Sequence, residues 1–254
     1  MQGIKVYNHN DRTKVVNQIV KLLKHQFKDN LVAVAAEGSY ARGNDKDFSD
    51  LELTVFLKEI SKDTNYNIHK IVDGLLIVIV FDTKESFVKK YLSDDFSVWY
   101  ASGSEDMLPI TNKHFIDKLN KIIPNNIEQK CLEQIKIRWP QYQEITAKLL
   151  NNINGEDLEA VSLVFPLIVK ETLVILSYLN QTPYTTLARY IFQAKKFQIK
   201  PKGFVELINM SIDGKYTNHR KLKKIALEIF SDLESILESK GLILYLDKLE
   251  RLWQ

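Results

Sequence analysis

The stretch EGSYARGNDKDFSDLELTVFL, Glu37 to Leu57, sets a Gly-Ser turn, Gly38-Ser39, eleven residues before two acids, Asp50 and Glu52, at alternating positions. On a strand, side chains two apart share a face, so these carboxylates would project together. Two neighbouring carboxylates repel each other unless a cation sits between them. Magnesium suits that place, because one or two protein carboxylates commonly hold it while water and substrate phosphates complete its octahedron. A Gly-Ser turn at the end of the preceding strand, with a short helix beginning near Ser39, would offer free backbone N–H groups to a phosphate. The Ser39 hydroxyl and the Arg42 guanidinium would strengthen that grip. Each half alone is commonplace, a turn and a solvent-facing alternation. The expectation of a metal–triphosphate site rests on their occurring together in a strand–turn–strand context.

The surrounding pattern supplies the elements that must position these residues. Apolar residues at Val15, Val16, Ile19, Val20, Leu22, Leu23 and Phe27 predict a helix over 10–28, with Asn10 or Asp11 available as its cap. Strands are predicted at 31–38 (LVAVAAEG), 50–57 (DLELTVFL) and 74–82 (GLLIVIVFD), with a polar-tolerant edge strand at 66–72. From about residue 126 the period becomes helical, over 126–152, 157–179, 184–195 and 217–240, broken at NNING, LNQTP and IKPKG. The expected fold class is α+β: a mixed sheet with helices over residues 1–125, then a helical bundle domain over 126–254.

Composition narrows the classes of function. A chain of 254 residues, 45% hydrophobic, can fill the core of one large or two modest domains. The 35 basic and 32 acidic residues leave a formal charge of +3, which makes no general case for nucleic-acid binding. The basic runs KKFQIKPKG (195–203) and HRKLKKIALEIF (219–230) read as solvated helix faces. One cysteine, Cys131, excludes an internal disulfide and reads as structural. The five histidines, His9, His25, His69, His114 and His219, lack zinc-ligand spacing. No apolar run is expected to span a membrane, and the opening MQGIKVYNHNDRTK is too polar for a signal peptide, so a reducing cytoplasm is the expected location. Trp99, Tyr100 and Trp139 are expected in a core or domain interface.

GSYARGNDKDFSDLE resembles the Gly-Ser…Asp-x-Glu signature of the polymerase-β-like nucleotidyltransferase superfamily, and more closely that of the aminoglycoside (kanamycin) 4′-nucleotidyltransferases. The resemblance extends to DRTKVVNQIVKLLKHQFKDNLVAVAAEGS, to YLSDDFSVW (91–99) with its Tyr-x-Ser-x-x-x-Ser-x-Trp spacing, and to PYTTLARYIFQA (183–194), in patches from about residue 10 to 195. It implies transfer of a nucleoside monophosphate, AMP from ATP, to a hydroxyl of a small molecule of the aminoglycoside type. Residue by residue, it implies that Ser39 and Arg42, in the turn opened by Gly38, contact the triphosphate and that Asp50 and Glu52 bind Mg2+. Glu144 would be the general base, Lys148 a phosphate contact, and Ser97 and Thr186 would lie near nucleotide or acceptor. A homodimer with clefts at the subunit interface is implied too. By spacing alone, Glu144 and Lys148 are an ordinary i,i+4 surface pair. Pro140 is expected to kink or restart their helix and aim them at the cleft.

The chain also departs from that pattern. The superfamily's third carboxylate would fall at or next to Val78, where no acid stands, and Asp82, four residues on at about 13 Å, is too distant to replace it. Glu37, immediately before the Gly-Ser turn, is expected as a strand-end surface acid, with a place near the metal as the alternative. Two acidic positions of the aminoglycoside enzymes fall on Val98 and Pro140, which argues for a less cationic acceptor or for a modest or absent aminoglycoside activity. A lincosamide, another sugar hydroxyl or a protein side chain are alternative acceptors, and a degenerate nucleotide-binding protein without turnover is the alternative outside the enzymes. A nucleic-acid acceptor is the least favoured.

Overall fold

A computed structural model describes residues 3, 5–61, 67–92, 96–101, 107–245 and 249, with the backbone alone at Tyr91. The chain divides into two compact units, one of Met1–Asp95 and Glu105–Asn125, the other of Phe96–Ser104 and Asn126–Gln254.

The first unit is built on a five-stranded mixed sheet in the order β3-β4-β2-β1-β5. Its elements are α1 (His9–Phe27), β1 (Leu31–Glu37), α2 (Gly38–Ala41), β2 (Leu51–Leu57), β3 (Asn67–Val72), β4 (Leu75–Asp82), α3 (Lys84–Leu92), β5 (Leu108–Thr111) and α4 (Lys113–Asn120). Antiparallel pairing joins β1 to β2 and to β5, and β3 to β4, whereas β2 and β4 run parallel. The expected edge strand is therefore present; Tyr66, the first residue of the predicted run, lies outside the described residues. A two-residue turn at Asp73 and Gly74, both at positive φ, closes the β3–β4 hairpin, as a type I′ turn requires.

Alternation along β1 and β2 divides the core. Val34, Ala36, Leu51, Leu53, Val55, Ile77 and Ile79 pack with Val16, Val20 and Leu23 of α1. On the opposite face Ala33, Ala35 and Phe56 pack with Ile116 and Leu119 of α4. The cap of α1 is Asn8, whose side chain accepts from the Asp11 amide at 2.9 Å, and not Asn10 or Asp11 as the pattern suggested. The apolar period cannot distinguish among adjacent polar residues; the cap goes to whichever one has extended backbone.

Arg12, on α1, is fully buried. Its guanidinium donates to the carbonyls of Tyr7 (2.7 Å), Lys46 (2.8 Å), Asp47 (3.2 Å) and Ser49 (2.7 Å), and to Asp45 Oδ2 at 2.9 Å. Asp45, also buried, takes a second contact from His9 Nδ1 at 2.7 Å. One side chain thus organises the 43–49 loop that delivers the chain to Asp50.

The second unit comprises α5 (Ile127–Asn154), α6 (Leu158–Leu179), α7 (Tyr190–Ala194), α8 (Phe204–Asp213) and α9 (His219–Ser239). The predicted helix at 184–195 is shorter than expected, a 3-10 turn at Leu187–Arg189 leading into α7, and α8 was not predicted. The expected boundary at 125/126 leaves out one segment. Phe96, Trp99 and Tyr100 pack into the helical core, where Tyr178 Oη donates to the Phe96 carbonyl (2.6 Å) and Arg138 Nη2 to that of Ser97 (2.8 Å). Trp139 is buried there as well, so all three aromatic residues serve the core. Burial pushes the Cys131 thiol up to about 12, which suits an inert core residue.

Two expectations are corrected here. Helix α5 runs unbroken through Pro140, so the proline does not restart it; Pro140 is exposed, where surrounding groups can absorb the lost hydrogen bond. Helix α6 is long and apolar enough to cross a membrane, with a mean hydropathy of 1.9 over its best 18 residues, contrary to the reading that no such run exists. That apolarity is used in the core, where every residue from Thr172 to Leu179 is buried.

Replacing Arg12 by Met should cost about 3–5 kcal/mol in urea unfolding, because it leaves Asp45 buried without its cation. Adding Asp45→Asn should recover part of that loss, giving a non-additive double-mutant cycle.

Candidate functional site

Glu37 ends β1 at the point where the backbone must turn sharply. Gly38 makes that turn at φ +65°, and the four residues of α2 follow, with Ser39 half-buried in it and Arg42 at its C-terminal cap. A Cβ on Gly38 would overlap Glu52 Oε2, so the carboxylate of the Asp-x-Glu pair lies directly against the backbone of the Gly-Ser turn. Glycine is required there twice over, by the left-handed backbone and by the close approach. The two halves of the pattern therefore meet because β1 and β2 pair antiparallel, with Glu37 opposite Glu52.

Asp50 stands one residue before β2 and Glu52 within it, both half-buried. Glu52 holds its proton to higher pH than an ordinary glutamate, first because of burial, then because of the negative charges of Asp50 and Glu37, with the Arg42 guanidinium opposing. A cation placed among these groups would reverse that shift. Their oxygens are the hard donors that magnesium takes. Among the described residues no three His, Cys, Asp or Glu side chains form a metal-holding group, so protein ligands alone would leave such an ion open to water and phosphate.

The parallel partner of Glu52 on β4 is Val78, which confirms that the neighbouring ladder position carries no charge. Asp82 lies opposite Phe56, is buried, and binds Lys90 (3.0 Å) and the Thr83 amide (2.9 Å), so it is committed elsewhere. Glu37 is exposed at the end of β1, the strand-end surface acid expected. Thr54 Oγ1 donates to its Oε1, and it faces Glu52 across the ladder. Its position immediately before the turn was the available signal.

The other predicted residues belong to the helical unit. Glu144 and Lys148 pair with each other at 2.7 Å, each side chain 61% exposed, so the aiming role given to Pro140 has no support in this helix. Ser97 is half-buried, its carbonyl held by Arg138. Thr186 is exposed, with extended backbone, at the start of the 3-10 turn before α7. Ser93 of the Tyr-x-Ser-x-x-x-Ser-x-Trp pattern lies outside the described residues, as does the Tyr91 side chain. A cavity of about 380 Å³ in the helical unit, lined by Asn180, Thr182, Lys196 and Lys240 among others, includes none of the predicted site residues.

Comparison with known proteins follows the same lines. Two relatives named aminoglycoside nucleotidyltransferase (4′), from a Bacillus species and from Staphylococcus aureus, are each 21% identical over 98% of this chain and 98% of their own. The crystal structure of a nucleotidyltransferase-like protein from Exiguobacterium sibiricum superposes with a TM-score of 0.50, covering 89% of this chain and 75% of that one at 12% identity, which supports the fold alone. The model of the KNTase C-terminal domain matches residues 113–243. With more than half of its length matched, and the sheet unit bearing the Gly-Ser and Asp-x-Glu pair, the chain belongs to the KNTase family and is a nucleotidyltransferase.

Proposed function

We propose that this protein transfers AMP from magnesium-bound ATP to a hydroxyl of an aminoglycoside. One observation carries the reading: Glu52 lies against Gly38, so a carboxylate pair and the Gly-Ser turn share one end of the β1–β2 ladder. The names of the two full-length relatives supply the acceptor class.

In this reading Asp50 and Glu52 hold the magnesium ion, which when bound neutralises charge on the phosphates and on the departing pyrophosphate. Arg42 and the Ser39 hydroxyl donate to phosphate oxygens, and the backbone at Gly38 lets the triphosphate approach closely. Glu144 takes the proton of the acceptor hydroxyl, whose oxygen attacks the α-phosphorus as the bond from that phosphorus to the pyrophosphate oxygen breaks. Lys148, paired with Glu144 here, orients the glutamate and contacts phosphate; Ser97 and Thr186 contact nucleotide or acceptor. A homodimer in the cytoplasm belongs to the same reading. Val98 and Pro140, apolar where the aminoglycoside enzymes carry acids, favour an acceptor of lower positive charge, and a lincosamide is the second reading on that ground.

Pyrophosphate release from ATP, followed with aminoglycosides, lincosamides and neutral sugars, tests the proposal. Turnover is expected with an aminoglycoside, and Asp50→Asn should lower kcat by about a hundredfold or more, the order seen when one electrostatic stabiliser of developing charge is lost. Turnover with lincosamides alone would replace the acceptor, and no turnover with any acceptor while ATP still binds would leave a binding protein. Gly38→Ala should cost about 1–2 kcal/mol of stability through its left-handed backbone. By pushing Glu52 aside it should also lower kcat/KM by more than about tenfold, measured beside the melting temperature.

A further inference from the structure

The row of residues across the sheet at Glu52 is unequal on its two sides. In register, His69 on β3 lies opposite Val78, Val78 opposite Glu52, and Glu52 opposite Glu37. Directly paired residues share a face, so Val78 and Glu37 flank Glu52 on the same side of the sheet. Toward β4 the flank is a valine; toward β1 it is a carboxylate.

Like charges directly opposite each other on a ladder destabilise the pair. This chain nevertheless places Glu37 opposite Glu52 and fixes it there, since Thr54 Oγ1, on a residue 5% exposed, donates to Glu37 Oε1. Thr54 follows Glu52 by two residues, shares its face, and leaves Oε2 of Glu37 to other partners. A strand-end acid serving only solubility has no need of a buried hydroxyl to orient it.

We propose that Glu37 is a working member of the magnesium–triphosphate site, supplying from the β1 side of Glu52 the negative charge that Val78 omits from the β4 side, with Thr54 as its positioning residue. This rests on the nucleotidyltransfer reading above. Such a charge needs no place among the direct ligands, because magnesium keeps several waters and a carboxylate oriented by a neighbour can act through one of them.

The test is a binding measurement without turnover. The affinity of the intact protein for a fluorescent α,β-methylene analogue of ATP is measured with magnesium and with EDTA, and the ratio gives the gain due to the metal. Glu37→Gln keeps the shape and an acceptor for Thr54, so the fold should persist, checked by melting temperature. The gain should fall about ten- to a hundredfold, the usual effect of losing a carboxylate that supports a metal site, with the affinity in EDTA unchanged. Adding Val78→Glu to Glu37→Gln should restore most of it. A wild-type gain in Glu37→Gln, an equal loss in EDTA, or a double variant as weak as the single one would overturn the proposal. Asp50→Asn separates the failures: if it loses the gain while Glu37→Gln keeps it, the nucleotidyltransfer reading stands without Glu37. If the wild-type protein shows no gain, both fall.

Discussion

A guanidinium sealed from solvent must find an acceptor for each of its donors, and Arg12 finds them in the backbone of the loop between the Gly-Ser turn and Asp50. Loops of this kind usually run over the surface with their carbonyls in water. Here three carbonyls of the path, at Lys46, Asp47 and Ser49, are tied to one point on α1. The cost of burying Asp45 is offset by that same guanidinium and by His9. Helix α1, whose apolar stripe reads as simple packing, therefore also sets where β2 begins and hence where Asp50 and Glu52 stand.

From that fixed start, strand pairing does the rest. Antiparallel pairing brings Glu52 opposite Glu37 and against Gly38, while parallel pairing with β4 puts Val78 on the other flank. A cluster of like charge follows, and burial with its neighbours' charges makes Glu52 harder to ionise than an isolated glutamate. Local stability is thereby set against readiness to accept a cation, a conflict typical of functional sites.

What could be read in the residues and what could not separate along physical lines. Periodicity located α1, β1, β2, β4, α5, α6 and α9, because each buries a stripe or alternation long enough to register. It missed α3 and α4, each of nine residues or fewer, β5, only four residues long, and α8, which follows the IKPKG break. Gly38, Asp50 and Glu52 were legible as a spacing. Glu37 was legible as a strand-end acid with a place near the metal as the alternative, but its pairing with Glu52 was not, since that depends on register, which a list of strands does not contain. Nothing local in the sequence marks Arg12, on an amphipathic helix, as buried. Pro140 misled in the other direction: a strong local rule yielded to a 28-residue helix whose packing holds it together.

Phe96, Trp99 and Tyr100 reach the helical core from a segment that precedes the sheet unit's last strand and helix. Neither unit is thus one uninterrupted length of gene. A fragment starting at residue 126 would carry α5 to α9 yet lack three aromatic rings that pack on its own interior, along with the carbonyls that Arg138 and Tyr178 use. Exchange of the helical part between relatives by a single recombination point would break that core, whereas two crossovers, one on each side of the aromatic segment, would be needed to move it whole. Heredity of the two units is in that sense linked, although each has its own interior.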